Sequence, residues 1–128
     1  MLLKLRENIY IGDKDSLKEI EKGTITSILN VADDLDIKAK EVAEYKYIKI
    51  GLSLSKVNPS YIKDLAAHSG KYQMQFGEVM LVIGVTGLRR AAFIACRIVC
   101  EIEDKGIYEI LQEVKKEKPE FKMGEAYL

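Results

Sequence analysis

The chain has 128 residues, and its twenty basic side chains are balanced by twenty acidic ones, so the formal net charge is zero. No concentrated positive patch marks a nucleic-acid partner. The longest apolar run, residues 79–83, is far too short to cross a bilayer. This length predicts a single domain over residues 1–128, with a tail from 119 to 128, that buries roughly two thirds of its unfolded surface and folds without disulfide or metal.

MLLKLREN lacks the apolar core and cleavage site of a signal peptide. ENIYIGD predicts a short strand, Asn8 to Ile11, closed by Gly12. Asp15 or Ser16 then caps a helix through Lys22, with Leu17 and Ile20 facing inward and Gly23 ending it. Thr26 to Ala32 is a continuous apolar run of the kind that forms a strand buried on both faces. DDLDIKAKEVAE is a polar connection, YKYIKI alternates as a strand from Tyr45 to Ile50, and GLSLSKVNPS is a loop ended by Pro59. A helix is expected from Tyr61 to Ser69 with Ile62, Leu65 and Ala66 inward. Val79 to Ile83 is the most apolar strand, GVTG a turn, and Leu88 to Lys105 a helix apolar almost all round, as a central buried helix is. Gly106 breaks it, and Ile107 to Lys118 forms a last amphipathic helix before Pro119. Strands alternating with helices, and strands without polar alternation, predict an α/β fold: a central, mostly parallel sheet of four to five strands with helices on both faces.

The stretch VMLVIGVTGLRRAAF has the outline of an anion site, in which a strand runs through a glycine-containing turn into a helix start. Free backbone amides and the helix N-terminus favour negative charge there, and Arg90 can add a two-pronged contact to phosphate oxygens. Hydrogen bonds to charged groups are worth about 1.5–3 kcal/mol each, so such a loop suits phosphate at roughly millimolar strength, about −4 kcal/mol. The candidate phosphate-binding residues are Gly84, Val85, Thr86, Gly87, Leu88, Arg89 and Arg90, with Arg89 read as a surface arginine. The same outline fits a plain strand-to-helix turn that binds nothing.

Two families use loops of this outline. GVTGLRR resembles the glycine fingerprint of dinucleotide-binding folds, but Arg90 replaces the third glycine and too little chain follows to complete a cofactor domain. The other is the dual-specificity protein phosphatase family of cysteine-based protein tyrosine phosphatases, whose loop reads H-C-x-x-G-x-x-R-S/T. Set against that loop, Gly87 and Arg90 fall on the fixed glycine and arginine. ENIYIGD, ITSILNVADDLD, YKYIKIGLS and IYEILQEVKKEKPE resemble further segments of small members in the right order, from Asn8 to about Pro119. The resemblance implies a dual-specificity phosphatase-like fold with no cofactor and no metal.

The departures from the family pattern lie where its chemistry is done. Gly84 stands at the nucleophile position, Ile83 at the preceding histidine and Ala91 at the hydroxyl that assists thiolate release. The loop from Gly51 to Ser60 holds no acid, and Leu54 falls near the general-acid position. A serine hydroxyl such as Ser53 or Ser55 is too weakly acidic to replace it. Cys96 and Cys100 lie deep in the expected central helix, where thiols are inert core groups, and they fit a reducing, cytoplasmic setting. The combination is that of a pseudophosphatase. Gly84 for cysteine is also the change seen in the phosphoserine/threonine/tyrosine-interacting pseudophosphatases, which implies recognition of a phosphorylated protein, or of inorganic phosphate or sulfate, without hydrolysis. The alternatives are a structural or oligomeric protein whose loop binds no ligand, and a phosphatase with residual activity. Neither nucleic acid nor membrane is an expected partner, and the oligomeric state is open.

His68, the only histidine, reads as a surface residue, and Asp33, Asp34 and Asp36 read as a solvated, helix-capping stretch rather than a cation site. The tail residues Phe121, Met123, Tyr127 and Leu128 suit packing on this domain or on a second subunit.

Overall fold

Leu2–Arg6 (β1), Ile9–Gly12 (β2), Ser27–Ala32 (β3), Lys46–Leu52 (β4) and Met80–Ile83 (β5) form one sheet in the order β1-β2-β5-β3-β4. The computed structural model describes residues 2–21, 23–85 and 89–119. β1 runs antiparallel to β2, and the other neighbours are parallel. The expected α/β sheet is therefore present, with one strand that the reading missed. LLKLR lies beside β2 at the sheet edge, and Arg6 ties it to the helical layer through Glu103 and Glu113, each at 2.8 Å.

The three central strands are apolar without alternation because both of their faces are covered. In β3, Leu29 and Val31 point into a core shared with the helices Ser60–Met74 (α1), Arg89–Glu103 (α2) and Ile107–Glu117 (α3). Ile28 and Ala32 point the other way, into a smaller core with Leu81 and Ile83 of β5. That second face is covered by loops and two 3-10 turns, Lys14–Lys18 and Ala39–Glu41, which bring in Leu17, Leu35 and Val42.

The sequence expectations are corrected at two helices. The helix expected from Asp15 or Ser16 through Lys22 is only a 3-10 turn, and its N-cap is Asp13, whose carboxylate accepts from the amides of Asp15 and Ser16 while the Ser16 hydroxyl accepts from the Asp13 amide. Lys22 lies outside the described residues. The helix expected to stop at Ser69 runs on through Gly70 to Met74, and the missing side chain at Gly70 lets α1 approach α2 closely: a Cβ there would sit 2.3 Å from Ile98 Cδ1. The inward face is Ala66, Ala67, Gly70, Gln73 and Met74, and the buried Gln73 accepts a hydrogen bond from the buried Ser27 hydroxyl of β3. Leu65, expected inward, is 52% exposed because it lies on the opposite side of that helix.

Candidate functional site

The parallel strands end together. Gly12 pairs with Ile83 and Ile83 with Asn30, so the segments leaving β2, β5 and β3 start at one edge of the sheet, where open α/β folds bind ligands. β5 runs into Gly84 and Val85, and α2 begins at Arg89. Thr86, Gly87 and Leu88, three of the expected phosphate-binding residues, lie outside the described residues. The Gly84 amide donates to the Gly12 carbonyl at 3.1 Å, so this N–H is already spent on joining β5 to β2. Val85 packs against the smaller core, and Arg89 is exposed, as a surface arginine.

Arg90 is the buried charge of the site, 3% exposed in the first turn of α2. Its Nη1 donates to Asp34 Oδ1 at 2.7 Å, to the Leu52 carbonyl at 2.9 Å and to Asp33 Oδ1 at 3.3 Å. Among the described residues Nη2 and Nε have no hydrogen-bond partner, so there the guanidinium is anchored at Nη1 alone. The Leu52 carbonyl also accepts the Asp33 amide at 3.1 Å, which holds the anchor together through β4. The hydrogen bond from Arg90 holds the Asp34 carboxyl below its ordinary value, so Asp34 is ionised near neutral pH. Asp33 and Asp34 are thus the partners of Arg90 rather than free solvated caps, while Asp36 reaches Lys49 at 3.1 Å. Two adjacent aspartates directly after the buried strand were the available sign, but nothing local in DDLD says which cation they meet.

Among the described residues, a Cβ on Gly84 would meet only Ala91, at 3.8 Å. Leu54 is half exposed in a loop that holds itself together without an acid. There, the Ser53 amide donates to the Asn58 side chain at 2.7 Å, and that side chain returns a bond to the Ser53 carbonyl at 2.9 Å. Burial pushes the Cys96 thiol up to about 12 and raises Cys100 as well, so neither is a thiolate near neutral pH. Both sit on α2 beyond its first turn, away from the strand-end edge. His68 is exposed on α1, 3.5 Å from Glu101. The described residues contain no cluster of metal-ligating side chains and no helix long and apolar enough to cross a membrane.

No protein-family model matches the sequence, and no curated protein matches it. Solved structures do match. The chain superimposes on Tk-PTP in its active form with a TM-score of 0.79 at 11% identity, covering 98% of this chain and 90% of that one. The fold is dual-specificity phosphatase-like. Human DUSP28 matches with a TM-score of 0.77 at 11% identity over 98% of this chain and 86% of its own. The human tyrosine phosphatase-like serine/threonine/tyrosine-interacting protein matches at 0.75 and 15%, over 98% and 89%. In this phosphatase-like fold the strand-end edge carries a glycine after β5 where the resemblance expects a cysteine, and an arginine that is buried and anchored.

Proposed function

We propose that the chain is a catalytically inactive phosphatase-like protein that holds a phosphate group, free or carried by a phosphorylated protein, at the loop from Gly84 to Arg90. The observation that supports it best is Arg90 itself. A guanidinium buried to 3% exposure is costly unless it is paired, and among the described residues it is paired at Nη1 only. The donors Nη2 and Nε suit a two-pronged contact to phosphate oxygens. Gly84 has no atom to attack phosphorus, and the loop before α1 has no carboxyl to protonate a leaving group. A bound phosphate ester on this reading is recognised and released unchanged.

Asp33 and Asp34 set the strength of the site. Their two negative charges exceed the single positive charge of Arg90 and oppose a dianion, so affinity is weak, of the order of millimolar. The test is a calorimetric titration of orthophosphate and then phosphotyrosine into the wild type, Arg90→Lys and Asp34→Asn. Saturable binding that is lost in Arg90→Lys and tightened several-fold in Asp34→Asn supports the reading. No heat at millimolar ligand in any of the three rejects it in favour of a turn that binds nothing, and turnover of an aryl phosphate by the wild type rejects inactivity.

A further inference from the structure

We infer that the outward face of α1 is a self-association surface, on which two copies of this chain pair antiparallel about a two-fold axis near His68. The face is unusual for an exposed helix. Tyr61, Leu65, Tyr72 and Phe76, the last just past the C-terminal end of α1, are 69%, 52%, 63% and 63% exposed. At 100° per residue these four positions fall within about 60° of one another, so they make one stripe rather than scattered apolar residues. The stripe lies opposite Ala66, Ala67, Gly70, Gln73 and Met74, which already bury the other side of the helix. Tyr72 and Phe76 are in edge-to-face contact with ring centroids 5.1 Å apart, so that end of the stripe is ordered by its own rings.

The area fits a second copy. At these exposures the three rings and Leu65 present about 500 Å² of surface, most of it apolar. With His68, Gln75, Asp64 and Lys71 at the margins, the face approaches the roughly 800 Å² per partner that a stable dimer buries.

The spacing fits a two-fold axis. The stripe positions 61, 65, 72 and 76 are symmetric about the middle of the helix, so an antiparallel copy sets Tyr61 against Phe76 of the partner subunit and Leu65 against Tyr72 of the partner subunit. Such a contact uses the same patch on both chains, as a closed dimer requires. The charges agree. Asp64 and Lys71 lie on the same flank, seven residues apart, and the antiparallel arrangement sets each Asp64 against Lys71 of the partner subunit. Asp64 is half exposed although it also binds Arg97 at 2.6 Å.

Sedimentation velocity of the full chain from about 1 to about 200 µM tests the inference. A species of twice the 14.5 kDa chain mass is expected, with Leu65→Asp weakening association at least tenfold while circular dichroism stays unchanged. Cysteine cross-linking reads the geometry. His68→Cys should form a covalent dimer on mild oxidation and Tyr61→Cys should not, because antiparallel copies place the two residues 61 about 22 Å apart, beyond the reach of a disulfide. The double variant Tyr61→Cys/Phe76→Cys should cross-link again. A monomer throughout the concentration range, a dimer indifferent to Leu65→Asp, or Tyr61→Cys alone cross-linking as well as His68→Cys would each overturn the inference.

Discussion

Arg90 Nη1 lies 2.7 Å from Asp34 Oδ1, and this contact joins the first turn of α2 to the loop that leaves β3, 56 residues earlier in the chain. The same nitrogen bonds the carbonyl at the end of β4. One guanidinium therefore ties together three of the segments that meet at the carboxyl edge of the sheet. Its role in stability and the binding role proposed for it are separable by experiment.

Replacing Arg90 with alanine removes a buried charge whose partners Asp33 and Asp34 are about half exposed. Water can take over the carboxylates, but the Leu52 carbonyl loses a bond in the interior. The expected cost is about 2 kcal/mol, below that of breaking a fully buried pair. A urea titration with unchanged slope and a lowered midpoint would check it. A cost near zero would mean that the guanidinium contributes nothing net to the fold.

The Asp34 carboxyl sits below its ordinary value of 3.8, chiefly through the hydrogen bond from Arg90. A depressed folded-state value means that the stabilisation is present above the unfolded-state value and is lost as pH falls through the folded one. Asp34→Asn should therefore be less stable than wild type at pH 7, and the gap should shrink as pH is lowered below 3.8. Urea midpoints of both proteins at a series of pH values measure this directly. A gap that widens on acidification contradicts the pairing.

Gly51 in β4 faces the backbone of Asp33: a Cβ there would lie 2.7 Å from the Asp33 Cα. Gly51→Ala must push β3 and β4 apart where the Arg90 anchor is formed, at a cost of about 1–3 kcal/mol. Because the displaced atom is Asp33 backbone, the variant should also weaken any phosphate binding. Gly70→Ala meets the buried Ile98 side chain of α2, at Cδ1 and Cγ1, and is the control, losing stability with any phosphate binding unchanged. Urea melts with matched phosphate titrations separate the two.

Gly84→Cys should fold with a stability change under about 1 kcal/mol, since the nearest atom of the described residues to a new Cβ is 3.8 Å away. Adding Leu54→Asp should give no more than trace turnover of an aryl phosphate, because Ala91 supplies no hydroxyl. Robust turnover would show that the loop is already shaped for chemistry. Thiol labelling reports the background: Cys96, pushed up to about 12, should react only on unfolding, after the half-buried Cys100.

Local pattern was enough where burial is uniform. The unbroken apolar runs of β3 and β5 were legible as strands covered on both sides, and Gly106 and the periodicity after it marked α3 closely. It was not enough where a residue has two possible environments. LLKLR carries as much apolar character as a frayed end as it does in an edge strand, and its pairing with β2 is decided only by the chain folding back. Leu65 read as core because leucine usually is, yet the sheet side of α1 was already filled by small residues and Met74. The aspartates after β3 carry no sign of their cation, because Arg90 is remote in sequence and reaches them only when α2 is laid along β5.

The sequence alone determined the α/β class and the order of most elements, and it shows a glycine at 84 and no acid from Gly51 to Ser60, since each depends on residue identity or on periodicity within a short window. Only the tertiary structure decided that Arg90 is buried, that Asp33, Asp34 and the Leu52 carbonyl hold its Nη1, and that α1 turns a stripe of rings to solvent. Those are long-range facts. They arise from strand order and from which helix face the sheet has already filled, and neither is written in any neighbouring set of residues.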